Sequence, residues 1–369
     1  MRIVSFNVEN MFARVKAMNL DGWKEGRPAL EAHQALNTLF NKPVYTSADK
    51  KKILKLLEEQ GMLKSGEGRL LILREIRGKL IRRSKGTVEI VASGRSDWIG
   101  WAELKTEPVK EAATQNTARV IAALNADVVG VVEAEDRTTL RLFNETVIPS
   151  VGGAPFQETM VIDGNDERGI DVGILTRTTH PIVSIRTHVF DQDPAGTIFS
   201  RDCAEYELAL PAGGTLWVLV NHLKSKGYGS QAANNAKRER QARRVREIVD
   251  THLHDGDELV VVLGDFNESP DNSPLTPLLR QSSVLKDISK HPSFANGGRA
   301  GTYGSCTPSN KFDYILLSPK LFDLVVAGGY ERRGMWGGVA GTLWPHFPEV
   351  KKSEDAASDH AAVWAEINL

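Results

Sequence analysis

The residues best suited to chemistry follow the apolar run 259–263, which has the composition of a buried strand and ends at Gly264. Asp265 and Asn267 come next, two residues apart, so an extended backbone would point both side chains to the same side. A carboxylate and a carboxamide placed in this way can contact one ligand together. Taken alone, the pair is explained equally well by an Asx turn, because Asp and Asn are common after strands.

A histidine stands at the end of a second predicted strand. The strand 215–221 leads into His222, and Lys224, Ser225 and Lys226 follow directly after Leu223. The imidazole therefore lies beside donors that suit a phosphate group. A lone histidine in such a position is more often a packing or solvent-facing residue, and the pattern alone leaves this alternative open.

A carboxylate and an imidazole mark two strands near the C-terminus. Asp313 lies at the start of the predicted strand 312–317, and His360 precedes the predicted strand 361–367. A buried carboxylate without a partner would be costly, so Asp313 needs a cation or an imidazole, and His360 is the obvious candidate.

Polar side chains also follow two strands in the first part of the chain. Asn7 ends the predicted strand 2–7, and Glu133 and Glu135 follow the apolar run 128–132. Open α/β sheets place their sites where strands end, so we expect these groups to meet the residues described above.

Strands rich in β-branched residues alternate with amphipathic helices over most of the chain. In the predicted helix 113–124, the apolar positions recur with a spacing that forms one buried face. This mixture of elements predicts a layered α/β architecture. The other predicted elements are strands at 127–132 and 171–175, with helices at about 138–148 and 237–252.

Residues 13–110 interrupt this alternation, and we interpret them as one insertion within a single domain that spans residues 1–369. Removing the insertion leaves 271 residues, which is enough for one large domain. Its main features are a capping box at Thr46–Asp49 before a helix that stops near Gly61, a basic segment at 69–85, a strand at 87–92, and the tryptophans Trp98 and Trp101.

Composition limits the class of protein. The formal net charge is −1, so the chain lacks the strongly basic balance of an obligate nucleic-acid coat protein. Apolar runs are far shorter than the roughly 18 residues of a membrane helix, and no secretory signal is recognisable, so we expect a cytoplasmic protein without a membrane span. Cys203 and Cys306 have no metal-type spacing and are expected to be reduced thiols.

Taken together, these motifs resemble the endonuclease/exonuclease/phosphatase superfamily, which includes DNase I, exonuclease III, inositol polyphosphate phosphatases and neutral sphingomyelinases. The resemblance extends from Ser5–Asn10 to Ser358–His360 and covers nearly the whole chain outside the insertion. It implies a DNase I-like four-layered α/β sandwich, in which two packed mixed β-sheets are flanked by helices. It also implies that the site lies at one end, between the two sheets.

For the cofactor, the resemblance implies a divalent metal ion, with Asn7 and Glu133 as ligands and Asp359 in the metal shell. Mg²⁺ is the expected ion, with Mn²⁺ or Ca²⁺ as alternatives, and such hard cations prefer the oxygen ligands that these residues supply. Two positions depart from the family pattern: Val132 replaces a glutamine found in many relatives, and Glu9 stands where abasic-site endonucleases have an aspartate. Glu9 is either an outer ligand or a charged residue at the strand edge.

For catalysis, the resemblance implies that Asp265 and Asn267 orient or deprotonate the attacking water and contact the phosphate. His360 would touch the scissile phosphate, Asp313 would orient His360, and His222 would lie near the leaving-group oxygen. Hydrolysis of a phosphate ester needs charge neutralisation, an oriented water and a proton for the departing oxygen, and these residue types fit those needs.

The expected activity is therefore metal-dependent hydrolysis of phosphate esters, with a nuclease or phosphodiesterase that cleaves DNA or RNA as the first hypothesis. A phosphatase or phosphodiesterase for a small or lipid-like phosphate ester is the alternative, and a catalytically silent nucleic-acid-binding module is the alternative from another class. Basic clusters at 69–85 and 237–246 could contact a nucleic-acid backbone or form solvated helix faces. Trp98 and Trp101 could stack on bases or belong to the core of the insertion.

Overall fold

The structure is a computed structural model that describes residues 1–20, 23–84, 86–227, 229–280 and 283–369. The chain forms two compact units. The first unit contains Met1–Phe12, Val109–Lys226 and Ser230–Leu369, and the second contains Ala13–Pro108 with Gly227–Gly229. The second unit has almost the same bounds as the predicted insertion.

Short strands outnumber helices in the regular structure. The described strands are β1 (Arg2–Asn7), β2 (Ala13–Val15), β3 (Leu71–Gly78), β4 (Ile81–Ser84), β5 (Thr87–Ile90), β6 (Trp98–Leu104), β7 (Thr106–Pro108), β8 (Val128–Ala134), β9 (Glu158–Ile162), β10 (Asp171–Thr176), β11 (Ile182–Arg186), β12 (Gln192–Asp193), β13 (Gly196–Thr197), β14 (Cys203–Ala209), β15 (Thr215–His222), β16 (Val260–Asp265), β17 (Lys286–Asp287), β18 (Phe294–Ala295), β19 (Asp313–Leu317), β20 (Val325–Glu331) and β21 (Ala362–Ile367). The described helices are α1 (Trp23–Phe40), α2 (Ser47–Glu59), α3 (Glu111–Leu124), α4 (Arg137–Leu142), α5 (Ile148–Ser150), α6 (Gln231–His254), α7 (Thr276–Leu279) and α8 (Pro319–Asp323), and a π-helical turn at Phe143–Val147 joins α4 to α5.

Two mixed β-sheets form the centre of the first unit. The seven-stranded sheet has the order β18-β20-β21-β1-β8-β10-β9, with β1 parallel to β8 and β18 parallel to β20. The six-stranded sheet has the order β11-β14-β15-β16-β19-β17, with β15 parallel to β16. The other neighbouring strands in both sheets are antiparallel.

The buried strand β8 shows how these sheets are layered. Successive side chains of a strand point to opposite faces, so alternate residues of β8 enter different cores. Val128 and Val132 pack in one cluster with Leu263 of the six-stranded sheet, whereas Val129 and Val131 pack in a cluster with α3. Helix α6 covers the other face of the six-stranded sheet in the same way. The predicted four-layered α/β sandwich is therefore confirmed.

Two neighbouring strands extend as far as predicted site residues. β15 ends at His222 and β16 ends at Asp265, so both groups lie beyond the apolar runs but still within the parallel pair. Gly264 has a φ of 133°, and a β carbon there would lie 1.9 Å from the carbonyl oxygen of Asn221. Only glycine lets the two strands approach at this point.

Helix α6 is longer than the sequence predicts. It begins at Gln231 after the N-cap Ser230, whose hydroxyl accepts the backbone N–H of Ala233, and it ends at His254. The predicted start at residue 237 is late because the first two turns contain only alanine and polar residues and show no periodicity of large apolar side chains. None of the described helices is long and apolar enough to cross a membrane.

The second unit has its own core, with α1, α2 and three two-stranded sheets, β2-β7, β3-β6 and β4-β5. The predicted capping box is present, because the Thr46 hydroxyl accepts the Asp49 N–H and the Asp49 carboxylate accepts the Thr46 N–H.

The interpretation of the basic segment 69–85 as a helix face is wrong. Most of its described residues form β3 and β4, in which the arginines are exposed and Leu71, Leu73 and Ile81 are buried, and Lys85 lies outside the described residues.

A buried carboxylate between two histidines links β14 to α6 in the first unit. Glu205 accepts hydrogen bonds from the Nε2 atoms of His188 and His252, whose Nδ1 atoms face Asp191 and Asp257. Burial alone would raise the pKa of Glu205, but the two histidines outweigh it and lower the pKa to about 2. Burial alone would lower the pKa of each histidine, but Glu205 outweighs it and raises both pKa values.

Replacing Glu205 with glutamine should therefore reduce stability most at mildly acidic pH. The raised histidine pKa values stabilise the folded state below about pH 6.5, and this contribution is lost as the pH rises through their folded-state values. The lowered pKa of Glu205 stabilises the folded state above about pH 4.3, and this contribution is lost as the pH falls toward 2.

Thermal unfolding followed by circular dichroism measures this effect. We expect the difference in melting temperature between the wild-type protein and Glu205→Gln to be largest at about pH 5–6 and to shrink toward about pH 9. Glu247→Gln, at an exposed position on α6, is the control and should change little. A difference for Glu205→Gln that does not vary with pH would contradict the coupling to the two histidines.

Candidate active site

The predicted site residues all lie in the first unit, at or next to the ends of strands. Their side chains form one network in which each member lies within 3.9 Å of another. The sequence thus placed these residues correctly at strand ends, and folding brings them together. They are Asn7 on β1, Glu133 on β8, His222 on β15, Asp265 on β16, Asn267 after β16, Asp313 on β19, and Asp359 and His360 before β21.

Asp265 lies at the centre of this network. Its Oδ2 accepts hydrogen bonds from the Nδ2 atoms of Asn7 at 3.2 Å and Asn267 at 3.1 Å, and its Oδ1 accepts the Asn267 N–H at 2.8 Å. The Nε2 atoms of His222 and His360 lie 3.7 and 3.9 Å from Oδ2. Burial, with the nearby carboxylates, raises the pKa of Asp265 above its ordinary value. The carboxylate is therefore oriented by amides and has an increased affinity for a proton.

His360 and Asp313 form the pair that the sequence predicted. The Nδ1 atom of His360 lies 2.8 Å from Oδ2 of Asp313, and Asp313 is fully buried. Burial alone would lower the pKa of His360, but Asp313, Asp265 and Asp359 outweigh burial and raise it well above its usual value. These carboxylates therefore favour the protonated form of His360, which can donate a hydrogen bond to an anion.

Glu133 reaches the network through an irregularity in the seven-stranded sheet. The pairing register shifts between Asp171 and Val172 of β10, which leaves Glu133 as the extra residue of a β-bulge. Its Oε1 lies 3.7 Å from Nε2 of His222. Burial raises the pKa of Glu133, so its charged form needs a nearby cation to be stable.

The first and last strands of the chain are joined beside Asn7. The Asn7 Oδ1 accepts the Glu9 N–H at 3.0 Å, and the Glu9 carboxylate accepts the Asp359 N–H at 3.2 Å. Glu9 therefore connects Asn7 and Asp359, two of the predicted metal-binding residues, through its own N–H group and its carboxylate. Sequence reasoning missed Ser358, whose hydroxyl donates to the Asn7 carbonyl at 2.8 Å and accepts the His360 N–H at 3.0 Å.

Left-handed backbone conformations cluster at this site. Glu9, Asn10, Glu133 and Asn267 have φ values of 52°, 58°, 65° and 53°. Such conformations are uncommon in residues other than glycine and cost about 1–3 kcal/mol each where the residue tolerates them poorly. The surrounding hydrogen bonds stabilise these backbone conformations, and the conformations direct the polar side chains toward one another.

The oxygen atoms of the network fit a divalent cation. Glu133 and Asp265 are buried carboxylates beside the Asn7 amide, and Asp359 lies at a more open edge, with its side chain 44 % exposed. Burial raises the pKa of both Glu133 and Asp265, so a cation among them would offset an unfavourable concentration of negative charge. A hard cation such as Mg²⁺ suits this set of oxygen donors.

A second group of ligand-type atoms suits a metal less well. Oxygen and nitrogen atoms of Asp265, Asp313 and His360 lie within 4.8 Å of one another. A protonated His360 has no lone pair for a metal, and its Nδ1 already faces Asp313. The oxygen atoms beside Glu133 are therefore the better metal position.

Sequence reasoning missed two arginines that act on this site. The side chains of Arg168 and Arg201 are 5 % and 1 % exposed and share the carboxylate of Asp166. Burial lowers the pKa of His222 well below its usual value, and the charges of Arg201 and Arg168 lower it further. Burial and these charges therefore favour the neutral form of His222. No local pattern distinguishes Arg201 from a surface arginine, so only the structure reveals its position.

Tyr303 is another site residue without a sequence signal. Its ring centroid lies 4.9 Å from that of His360 and 5.3 Å from that of Phe312. The preceding Thr302 accepts the N–H groups of Phe312 and Asp313 through its hydroxyl, and its carbonyl accepts the Ala361 N–H. These contacts hold Asp313 and His360 in register.

The basic cluster 237–246 does not present free arginines along α6. Most of the charges are paired with carboxylates of the same unit, and Arg238 is fully buried against Glu268. The other pairs are Arg240 with Asp193, Arg243 with Glu239, Arg244 with Asp191 and Glu247, and Arg246 with Asp250. These ion pairs balance the positive charges of the cluster without a nucleic acid. Contact of α6 with a nucleic-acid backbone therefore stays a prediction.

Comparison with protein families gives a match over most of the chain. The sequence model described as Endonuclease/Exonuclease/phosphatase family matches residues 108–360. This range includes the predicted site residues from Glu133 to His360 and leaves out Asn7. None of the curated proteins compared with this sequence matches it.

Solved structures also resemble this chain. A Bacteroides thetaiotaomicron protein described as endonuclease/exonuclease/phosphatase family is 18 % identical, with a TM-score of 0.50 over 69 % of this chain and 86 % of its own. Truncated Caenorhabditis elegans TDP2 is 17 % identical, with a TM-score of 0.48 over 69 % of this chain and 90 % of its own. The human Nocturnin catalytic domain with bound sulfate is 15 % identical, with a TM-score of 0.49 over 71 % of this chain and 88 % of its own. The Bacteroides structure supports the same fold.

Proposed function

This chain belongs to the endonuclease/exonuclease/phosphatase family, and we propose that it is a divalent-metal-dependent phosphoesterase that cleaves phosphodiester bonds in DNA or RNA. One observation carries the proposal: four carboxylates, two amides and two imidazoles meet in a single network around Asp265. Phosphate ester hydrolysis needs oriented water and stabilisation of negative charge, and this network supplies groups for both.

Asp265 is the residue best placed to take a proton from water. Its raised pKa increases its affinity for that proton, and the amides of Asn7 and Asn267 fix its orientation. In the proposed reaction the water oxygen bonds to phosphorus and its proton passes to the Asp265 carboxylate. The ester P–O bond breaks, its electron pair goes to the departing oxygen, and that oxygen takes up a proton from solvent.

The two histidines have different parts in this proposal. The protonated His360, held by Asp313, donates a hydrogen bond to a phosphate oxygen and stabilises the charge that develops there. The neutral His222 provides a hydrogen-bonding group near the leaving oxygen rather than an acid. A divalent cation held by Glu133, Asn7 and Asp359 would neutralise charge on the phosphate as a Lewis acid.

Nucleic acid is the substrate that we propose because of the second unit. Arg74, Arg77, Arg82 and Arg83 are exposed on β3 and β4. Arg74 and Arg82 pair with the surface carboxylates Glu103 and Glu89, but in the described part of the chain no carboxylate forms an ion pair with Arg77 or Arg83. Exposed arginines are the residues that contact phosphate backbones.

Removal of divalent metal should abolish this activity. We expect cleavage of plasmid DNA or labelled oligonucleotides in Mg²⁺ or Mn²⁺ to fall by about 10³-fold in excess EDTA, because a Lewis acid contributes several kcal/mol to such reactions. Adding Mg²⁺ back should restore the rate. Gel electrophoresis of the products measures cleavage, and phosphate release from small esters is measured in parallel.

The two readouts separate the alternatives. Activity that resists EDTA would contradict metal dependence. Phosphate release from small esters without any cleavage of nucleic acid would contradict the proposed substrate and favour a phosphatase.

A further inference from the structure

Charge is distributed unevenly between the two parts of the chain. Residues 13–108 contain 19 Lys or Arg and 12 Asp or Glu, which gives a net charge of +7. The remaining residues contain 27 Lys or Arg and 35 Asp or Glu, which gives −8. The overall charge of −1 therefore conceals a basic second unit, and such a basic part is the electrostatic signature of a polyanion partner.

The β3-β6 sheet of this unit has one buried and one open face. Along β6, Trp98, Gly100 and Ala102 are buried, whereas Ile99 and Trp101 are exposed. Alternation along a strand puts Ile99 and Trp101 on the same face of the sheet. Among the described residues, eleven large hydrophobic side chains are exposed, and Ile76, Ile99 and Trp101 bring three of them to this one sheet.

The two tryptophans of this strand have different environments. Trp98 is 1 % exposed, and its indole N–H donates to the Tyr45 hydroxyl while its ring packs edge-on against Phe40. Trp101 is 42 % exposed. Trp98 is therefore a core residue, and Trp101 leaves part of its ring accessible to a planar ligand.

Two arginines of β3 lie opposite the exposed residues of β6. Arg74 is the cross-strand partner of Trp101, and Arg77 is the cross-strand partner of Ile99. Arg74 makes two hydrogen bonds of 2.8 Å to Glu103, so its charge is offset by that carboxylate. In the described part of the chain, no carboxylate forms an ion pair with Arg77 or Lys79, so both charges remain available.

We propose that the open face of the β3-β6 sheet binds single-stranded nucleic acid, with a base stacked on Trp101 and with Arg77 and Lys79 contacting the phosphates. An aromatic ring among cationic side chains is the combination that single-strand binders use, because every base has a π-face and every nucleotide a phosphate. A duplex keeps its bases stacked on one another and offers only its phosphates to this face. The surface extends the proposed function by naming a partner, yet binding here does not require hydrolysis.

Binding without metal tests this proposal apart from catalysis. The full chain is titrated in EDTA against fluorescein-labelled oligothymidylate or oligouridylate of about 20 nucleotides, and fluorescence anisotropy measures the dissociation constant. Trp101→Ala should weaken binding about 5- to 100-fold, and Trp101→Phe should keep most of the affinity because its ring can still stack. Both substitutions are at a partly exposed position and should leave the fold intact.

The salt dependence tests the cationic contacts. Replacing both Arg77 and Lys79 with alanine should reduce the slope of log K against log salt by about 1.4, since each single-strand phosphate contact contributes about 0.7. Lys55→Ala removes an exposed charge from α2 of the same unit and should leave the slope unchanged.

Three results would overturn the proposal. The first is that Trp101→Ala and the wild-type protein bind the oligonucleotide with equal affinity. The second is that the protein binds single-stranded and duplex oligonucleotides with equal affinity. The third is that no oligonucleotide binds at low salt, and this third result would point to a protein partner for this face. If the wild-type protein binds the oligonucleotide but does not cleave nucleic acid in the presence of Mg²⁺ or Mn²⁺, that result would contradict only the proposed function.

Discussion

Replacing Asp265 with asparagine should lower the rate of phosphodiester hydrolysis by about 10³-fold or more, since a positioned general base contributes about 10²–10⁴-fold and this carboxylate also orients its neighbours. The side chain keeps its size and loses its proton affinity. Burial and the nearby carboxylates Asp313 and Glu133 raise the pKa of Asp265, so its charge destabilises the folded protein at neutral pH. The melting temperature of Asp265→Asn in EDTA should therefore equal or exceed that of the wild-type protein.

Initial rates on a labelled oligonucleotide, with thermal unfolding on the same samples, measure both effects. Asp323→Asn is the matched control, because its side chain is 74 % exposed at the end of α8. Near-normal turnover of Asp265→Asn would remove Asp265 from the reaction. Loss of activity together with a much lower melting temperature would show a structural effect instead.

Breaking the Asp313–His360 pair should also cause a large loss of activity. The cause is a change in the pKa of His360, which the pH dependence of the rate measures. Asp313→Asn keeps a hydrogen-bonding group beside Nδ1 of His360 but removes the charge that holds its pKa high. We expect the rate at neutral pH to fall about 10²- to 10⁴-fold. The pH at which activity declines on the basic side should move to a lower value, because the imidazole loses its proton earlier.

The double substitution gives a further check on this pair. His360→Ala alone should cost about as much as His360→Ala combined with Asp313→Asn, because Asp313 acts through His360. His254→Ala, at an exposed position at the end of α6, is the control for loss of a histidine. Full additivity of the two losses, or an unchanged pH profile for Asp313→Asn, would contradict the pairing.

Local patterns in the sequence were sufficient for the layered α/β fold class and for the positions of the proposed site residues at strand ends. Apolar runs that end in a polar group, as at 259–265, predict a buried strand and a side chain at its end, because the period of a strand is a local property. The capping box at Thr46 was predicted for the same reason, since its hydrogen bonds span only three residues.

Other predictions failed because charge and hydrophobicity do not specify the secondary structure of a short segment. The basic segment 69–85 fits an exposed helix face as well as an exposed strand face, and the cross-strand partners on β6 decide for the strand. The start of α6 at Gln231 was missed because alanine is the only apolar residue type in its first two turns, and these alanines do not form a helical period of large apolar side chains.

The sequence by itself thus determined the family, the layered architecture and the types of side chain at the strand ends, all of which depend on neighbouring residues. Only the tertiary structure decided that Glu133 enters the site through a β-bulge, that Arg201 lies buried close to it, and that Trp98 is core while Trp101 is open. Each of these outcomes depends on contacts between residues far apart in the chain, where tertiary packing overrides local preference.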